Sequence, residues 1–248
     1  MSRARIMERI EASPRFYARI GGLEYVFVII AGTFAEIFVR GRLFVHGDAA
    51  ATAHNIMAHQ MLYRWGFAVE VLYCVLNLPM AVIFYNLFKV VNKNLALLGL
   101  CLDIAVNTLE AISTLAHYAP LLLLNGEHHL SAFTPEQLQA MSYVSLELFE
   151  HGFAICLIFF GLDCLVAGYL IFHSTFLPRI LGVLLAIEAV GYLVNSFALF
   201  LAPALQPRIF PYFAPTAIAE IALALWLLVM GVNEQRWKEQ ASAAGIRA

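Results

Sequence analysis

Residues 153–172 read FAICLIFFGLDCLVAGYLIF, twenty residues with a single charged side chain, Asp163. An α-helix of that length rises about 30 Å, which is the thickness of a bilayer's hydrocarbon core. The run lies inside a longer apolar stretch, 139–173, and five comparable stretches accompany it, at about 18–39, 62–88, 95–124, 179–202 and 213–233. Over the 248 residues 62% are hydrophobic and 13% charged, about half the ~25% charged share that covers a soluble domain. Most of the surface must therefore face lipid. The expected fold is all-α: one polytopic transmembrane helical bundle of six spans, a single domain over 1–248. A net charge of −2 and the absence of any basic stripe speak against a nucleic-acid partner.

The breaks between spans have physical causes. Val91-Asn92-Lys93-Asn94 is a short polar turn, and Asn125-Gly126-Glu127-His128-His129 a polar loop. Thr134-Pro135-Glu136-Gln137 reads as a helix start, with threonine as N-cap, proline at the first helical position and glutamine closing a capping box. Pro178 ends one helix and opens the next, and Pro203, Pro207, Pro211 and Pro215 are expected to keep the fifth connection from being helical. Asp48 caps a run, 49–60, too polar to span, which predicts a small helical cap on the outer side. The fourth helix, drawn from Pro135 to His173, would run ~58 Å and must project, tilt or bend. The first span is too long for a signal-peptide core and reads as a retained anchor.

Orientation follows from the basic residues. With both termini inside, eleven of the fifteen Lys and Arg fall on inner segments, among them Arg3, Arg5, Arg9, Arg15, Arg19 and Arg247. Only Arg40, Arg42, Arg64 and Arg208 fall outside, so an N-in, C-in topology in a bacterial inner membrane is expected. Trp65 and Trp237, near span ends, read as interface anchors. Cys74, Cys101, Cys156 and Cys164 each sit in an apolar run without metal-ligand spacing, and read as buried small hydrophobes.

Six stretches carry a family resemblance. They are Phe38–Leu43 (FVRGRL), Gly47–Ala53 (GDAAATA), Val91–Leu98 (VNKNLALL), Leu130–Leu138 (LSAFTPEQL), Leu177–Leu184 (LPRILGVL) and Ala219–Leu228 (AEIALALWLL). In this order the chain resembles a bacterial membrane family catalogued as domain of unknown function 4386. The resemblance covers nearly the whole chain and implies a single multi-span unit. It implies no activity, substrate or catalytic residue.

Ionisable groups inside spans cost roughly 2.5–3.5 kcal/mol each at mid-bilayer, yet this chain keeps many. Counted from the inner basic anchors, Glu36, Glu70, Glu110 and Glu220 each stand 16–19 residues up their helices, ~24–29 Å at 1.5 Å per residue. Four carboxylates from four helices are thus expected at one level. Asp103, Asn107, Glu110, Thr114 and His117 are spaced 4-3-4-3 and form one narrow polar stripe, which must face the bundle interior. Tyr143, Glu147, Glu150 and His151 share a face of the next helix, while Asp163 points to its opposite side. Glu188, Tyr192 and Asn195 repeat the 4-3 spacing. The expected picture is an outward-opening cup of carboxylates and two imidazoles, with Arg40, Arg42 and Arg64 near its rim.

Three chemistries suit such a cup. A divalent transition metal (Mn, Fe or Zn) could be held by Glu70, Glu110, His117, Glu147, Glu150 and His151, with Glu36, Asp103, Asn107, Glu188, Asn195 and Glu220 in support. Glu147 and His151 stand at i and i+4, one residue wider than the usual Glu-x-x-His pair. A bound metal would make the protein a candidate metal-dependent enzyme on a lipid-like substrate. The second chemistry is proton- or cation-coupled transport of a small molecule or ion. The third is a ligand-sensing or purely structural network of hydrogen-bonded acids. His54, His59, His128 and His129 read as solvated. No nucleophile elbow, phosphate loop or dinucleotide fingerprint occurs.

Overall fold

The computed structural model describes residues 13–126, 130–213 and 218–245. Arg3, Arg5, Arg9, Arg247, His128, His129 and Pro215, used in the sequence reading, lie outside the described residues. Among the described residues there is no strand. The helices are α1 (Pro14–Leu43), α2 (Ala49–Ala58), α3 (Gln60–Phe88), α4 (Lys93–Leu124), α5 (Pro135–His173), α6 (Arg179–Leu201), α7 (Gln206–Phe213), α8 (Ile218–Val229) and α9 (Glu234–Ala243). Five of them, α1, α3, α4, α5 and α6, are long and apolar enough to cross a bilayer. This is a multi-pass integral membrane protein. A sixth crossing requires α8 and α9 to be counted together, although the chain bends by 100° between them. The described α8 has only 12 residues, about 18 Å of rise.

The local signals operate as their chemistry demands. Asp48 accepts the Ala51 N–H at 2.8 Å and starts α2. Thr134 Oγ1 accepts the Gln137 N–H at 3.3 Å, and Gln137 Oε1 accepts the Thr134 N–H at 2.9 Å, a closed capping box that launches α5. Asn92 Oδ1 takes the N–H groups of Asn94 and Leu95, both at 3.1 Å, and turns the chain into α4. The helix α5 is unbroken over its 39 residues. The fifth connection, expected to be non-helical, forms α7, with Pro207 in its first turn where no N–H is needed and Pro211 inside it.

The chain divides into two compact units. One comprises Met1–Phe27, Leu76–Asn107 and Cys156–Ala248, and the other Val28–Val75 and Thr108–Ile155. In the first unit helices meet at glycines. A Cβ on Gly182 would fall 2.5 Å from the carbonyl oxygen of Gly168, and one on Gly22 would fall 2.3 Å from the backbone nitrogen of Leu228. Backbones approach this closely only where a side chain is missing. Arg19 donates to the carbonyl of Val229 at 2.7 Å and Arg15 to that of Met230 at 3.2 Å. Both satisfy carbonyls at the C-terminal end of α8, where a cation is favourable. Gly231, at φ +66°, turns the chain there. Trp237 is fully buried, and its indole N–H donates to Leu87 O at 2.9 Å. It is a core residue, contrary to the interface-anchor reading, because the chain bends by 100° after α8 and brings the indole against Leu87. Trp65 is exposed.

The second unit has its own core: Val39, Leu43, Ile56, Tyr63, Leu121 and Leu146, flanked by Phe44 and Tyr118. The short helix α2 contributes Ile56 to it, so the segment too polar to span is packed in place. Gly66 makes room for Val39, whose Cγ1 lies 2.8 Å from where a Cβ would stand.

The glycine contacts are testable by thermal melting in detergent. Gly22→Val must displace main chain and is expected to cost about 1–3 kcal/mol, the usual range for overpacking. Gly32→Ala has nothing within 4 Å of the added carbon and is expected to leave stability unchanged or raise it by up to ~1 kcal/mol. Equal melting of Gly22→Val and wild type would rule out the close approach of α1 and α8.

Candidate functional site

The site in the second unit starts from a distortion. Residues Phe34–Arg40 of α1 form a π-helix, and the N–H of Gly41 bonds to the carbonyl of Glu36 five residues back. Such segments are rare and concentrate at functional positions. This one carries Glu36 and Arg40. Arg40 Nε donates to Glu36 Oε2 at 2.9 Å, and Nη1 donates to Glu70 Oε1 of α3. The Phe149 ring of α5 lies under the guanidinium, 4.5 Å from its carbon to the ring centroid. Arg40 thus joins two carboxylates of opposite character. The Glu36 side chain is 62% exposed, whereas Glu70 has no exposed surface.

The other oxygen of Glu70 meets His117 of α4, with Nδ1 2.6 Å from Oε2. His117 is also fully buried. The Tyr63 ring stands edge-on to the imidazole at 4.7 Å, and the Tyr63 hydroxyl donates to the His117 carbonyl. Phe149 closes another side at 5.2 Å between ring centroids. The second ring nitrogen, Nε2, has no hydrogen-bond partner among the described residues. The sequence Glu36–Arg40–Glu70–His117 is therefore a continuous polar chain from an exposed acid to a buried imidazole with one nitrogen unused.

Other expected site residues stand elsewhere. The α4 stripe is buried as its spacing requires, from Asp103 through Asn107, Glu110 and Thr114 to His117. Glu110 accepts the Tyr73 hydroxyl. Glu147 and His151 are exposed, and His151 Nδ1 meets the Glu147 carbonyl at 2.7 Å along their own helix. Glu150 is half-buried and lines a cavity of about 10 Å³ with Arg40, Leu43, Phe44, Ile56, Tyr63, Leu146 and Phe149. That space holds about one water molecule. The sequence reading expected an outward-opening cup of acids; the space found beside Arg40 is this small, mostly apolar-lined cavity. Among the described residues no group of three or more His, Cys, Asp or Glu side chains is arranged to hold a metal ion.

Asp103, Asn107, Glu188, Asn195 and Glu220 belong to the first unit. Glu220 accepts the hydroxyls of Tyr25 at 3.1 Å and Tyr192 at 2.5 Å. Asn195 accepts from Gln206 at 3.0 Å. Arg236, the inner anchor from which Glu220 was counted, lies beyond the 100° bend between α8 and α9, so residue counting along that stretch does not measure depth. Asp163, set apart in the sequence, interacts electrostatically with Asp103. Arg40 was assigned to the rim and is the centre of its cluster. The available signal was the Glu36-x-x-x-Arg40 spacing, one turn apart at the end of an apolar run. Tyr63 and Tyr73 had no sequence signal beyond being tyrosines within a span.

Residues 20–231 match a family described as Domain of unknown function (DUF4386). An uncharacterized protein of Archaeoglobus fulgidus is 29% identical over 157 residues, covering 63% of this chain and 78% of that protein. No solved structure matches.

Removing one partner of a buried ion pair strands the other charge, at a cost of about 3–5 kcal/mol. Arg40→Met leaves buried Glu70 without its cation and is expected to lose that much by chemical denaturation, and the double variant Arg40→Met/Glu70→Leu to regain most of it. If Arg40→Met unfolds like wild type, Arg40 and Glu70 do not form a buried pair in the folded protein.

Proposed function

The chain belongs to the family described as Domain of unknown function (DUF4386), and we propose that it is a proton-coupled membrane carrier of a small solute or cation. The observation that supports this is Glu70, buried without exposed surface between the permanent charge of Arg40 and the titratable ring of His117. Acids kept inside membrane proteins at such cost are characteristic of proton and ion pathways.

The coupling step in this reading is local. With Glu70 ionised, Arg40 ties the π-helical segment of α1 to α3. A proton taken by Glu70, delivered through His117, removes that attraction and leaves Arg40 with Glu36 alone. The tie between α1 and α3 then loosens, and the one-water cavity beside Arg40 is the place where space opens. Loss of the proton restores the tie. The basic-residue asymmetry supports placing both termini on the cytoplasmic side of a bacterial inner membrane, with α8 and α9 forming a sixth, bent crossing.

Purified protein in liposomes loaded with a pH-sensitive dye tests the proposal, with a diffusion potential imposed and Na⁺ or K⁺ as the added cation. Wild type is expected to move protons above the empty-liposome rate. Glu70→Gln and His117→Gln should lose at least ~10-fold, equivalent to about 1.4 kcal/mol, while Glu234→Gln at the surface retains the full rate. No flux in wild type, or an intact flux in Glu70→Gln, counts against the carrier.

Metal binding is the second reading, supported by the unpartnered Nε2 of buried His117, a good donor for Mn, Fe or Zn. A resident ion would let the protein act on a lipid-like substrate. Elemental analysis of detergent-purified protein should then find a stoichiometric metal that His117→Gln removes. Metal content near zero, with no rise in melting temperature on adding Mn, Fe or Zn, would eliminate this reading.

A further inference from the structure

The first unit contains a second acid centre, which has no part in the Arg40 chain. Glu188 of α6 and Glu220 of α8 meet at one hydroxyl, that of Tyr192, which stands 3.4 Å from Glu188 Oε1 and 2.5 Å from Glu220 Oε1. Glu188 has no exposed surface. Neither acid has a Lys, Arg or His partner among the described residues. The facing titratable groups are Tyr25 of α1, Cys164 of α5, and Tyr192 of α6, with Asp163 and Asp103 beyond Cys164. All are acids or neutral donors, so no positive charge is at hand to offset two carboxylates.

Counting donors locates what is missing. Glu220 takes two hydroxyls, Tyr25 on Oε2 at 3.1 Å and Tyr192 on Oε1 at 2.5 Å. Tyr192 has one proton to give, and it goes to the nearer acceptor, since Glu188 Oε1 is 3.4 Å away. Glu188 Oε2 is buried and meets no donor among the described residues. Two ionised carboxylates cannot share a contact in a dry site, because each offers only acceptors and their charges repel. One proton between them resolves both problems. Glu220, with its two tyrosine donors, is the better anion, and Glu188 is the one that carries the proton.

We propose that Glu188 and Glu220 form a carboxyl–carboxylate pair that binds a single shared proton, a second proton-binding site carried entirely by the first unit. No bond other than O–H is made or broken: the proton arrives from water, and its loss leaves the pair doubly ionised and repelling. The pair therefore keeps its proton to alkaline pH. It does not depend on the carrier reading, because its residues and its readout are separate.

Infrared difference spectroscopy of the full-length protein in lipid is the test. Wild type is expected to show a protonated-carboxyl band that persists at alkaline pH. Glu188→Gln and Glu220→Gln should each abolish the same band, and the double variant should remove no more than either alone. Glu70→Gln should leave it untouched, which separates failure here from failure of the carrier. Two bands that disappear independently, or no alkaline carboxyl band in wild type, overturns the pair. Should a Gln variant fold poorly, the shorter acids decide: Glu188→Asp and Glu220→Asp are each expected to shift the same carboxyl band, and a band that neither moves refutes the proposal.

Discussion

A carboxylate that has no exposed surface in a lipid-spanning chain must be neutralised where it stands, and Glu70 sets the terms for the unit around it. Arg40 neutralises it, and the guanidinium can reach because α1 relaxes into a π-helix over Phe34–Arg40. His117 takes the second oxygen, Tyr63 holds the His117 carbonyl, and Phe149 covers both cation and ring. The remaining core, Val39, Ile56, Leu121 and Leu146, excludes water from this chain of contacts. Low dielectric then strengthens each contact and raises the cost of breaking any one of them. The polar network and the apolar core are thus one construction.

The first unit solves the same problem without a cation. Among its basic residues, Arg15 and Arg19 cap α8, Arg236 donates to the carbonyl of Thr175, and Lys238 pairs with Glu234. Its buried acids are left with tyrosine hydroxyls and one another. The two units therefore differ in kind, one balanced by fixed charge and the other by protons.

Length and hydropathy made the membrane-spanning helices legible, and the helix starts at Asp48 and Thr134 followed from their capping chemistry. The stripe from Asp103 to His117 was readable because a 4-3-4-3 spacing admits only one face, and that face is buried. Depth counting assumes a straight helix between anchor and acid, and between Glu220 and Arg236 the chain bends by 100°. The role of Arg40 was hidden for a related reason. In an ideal α-helix its distance from the inner anchor places it at the membrane edge, and nothing in the residue types Phe34–Arg40 announces a wider turn. Contacts between distant tyrosines and acids depend on which helices neighbour each other, and one chain's periodicity carries no such information.

The π-helical turn also constrains how this chain can vary. A π segment is an α-helix with one residue too many, taken up in a widened turn between Phe34 and Arg40. Deleting one residue there would let the turn close into regular α-helix with little net rotation of the segments on either side, at the cost of the widened turn from which Arg40 reaches Glu70. Deleting one residue elsewhere in α1 meets no such slack and would rotate everything beyond it by about 100°. Of the length changes open to α1, only one inside this stretch is absorbed where it occurs.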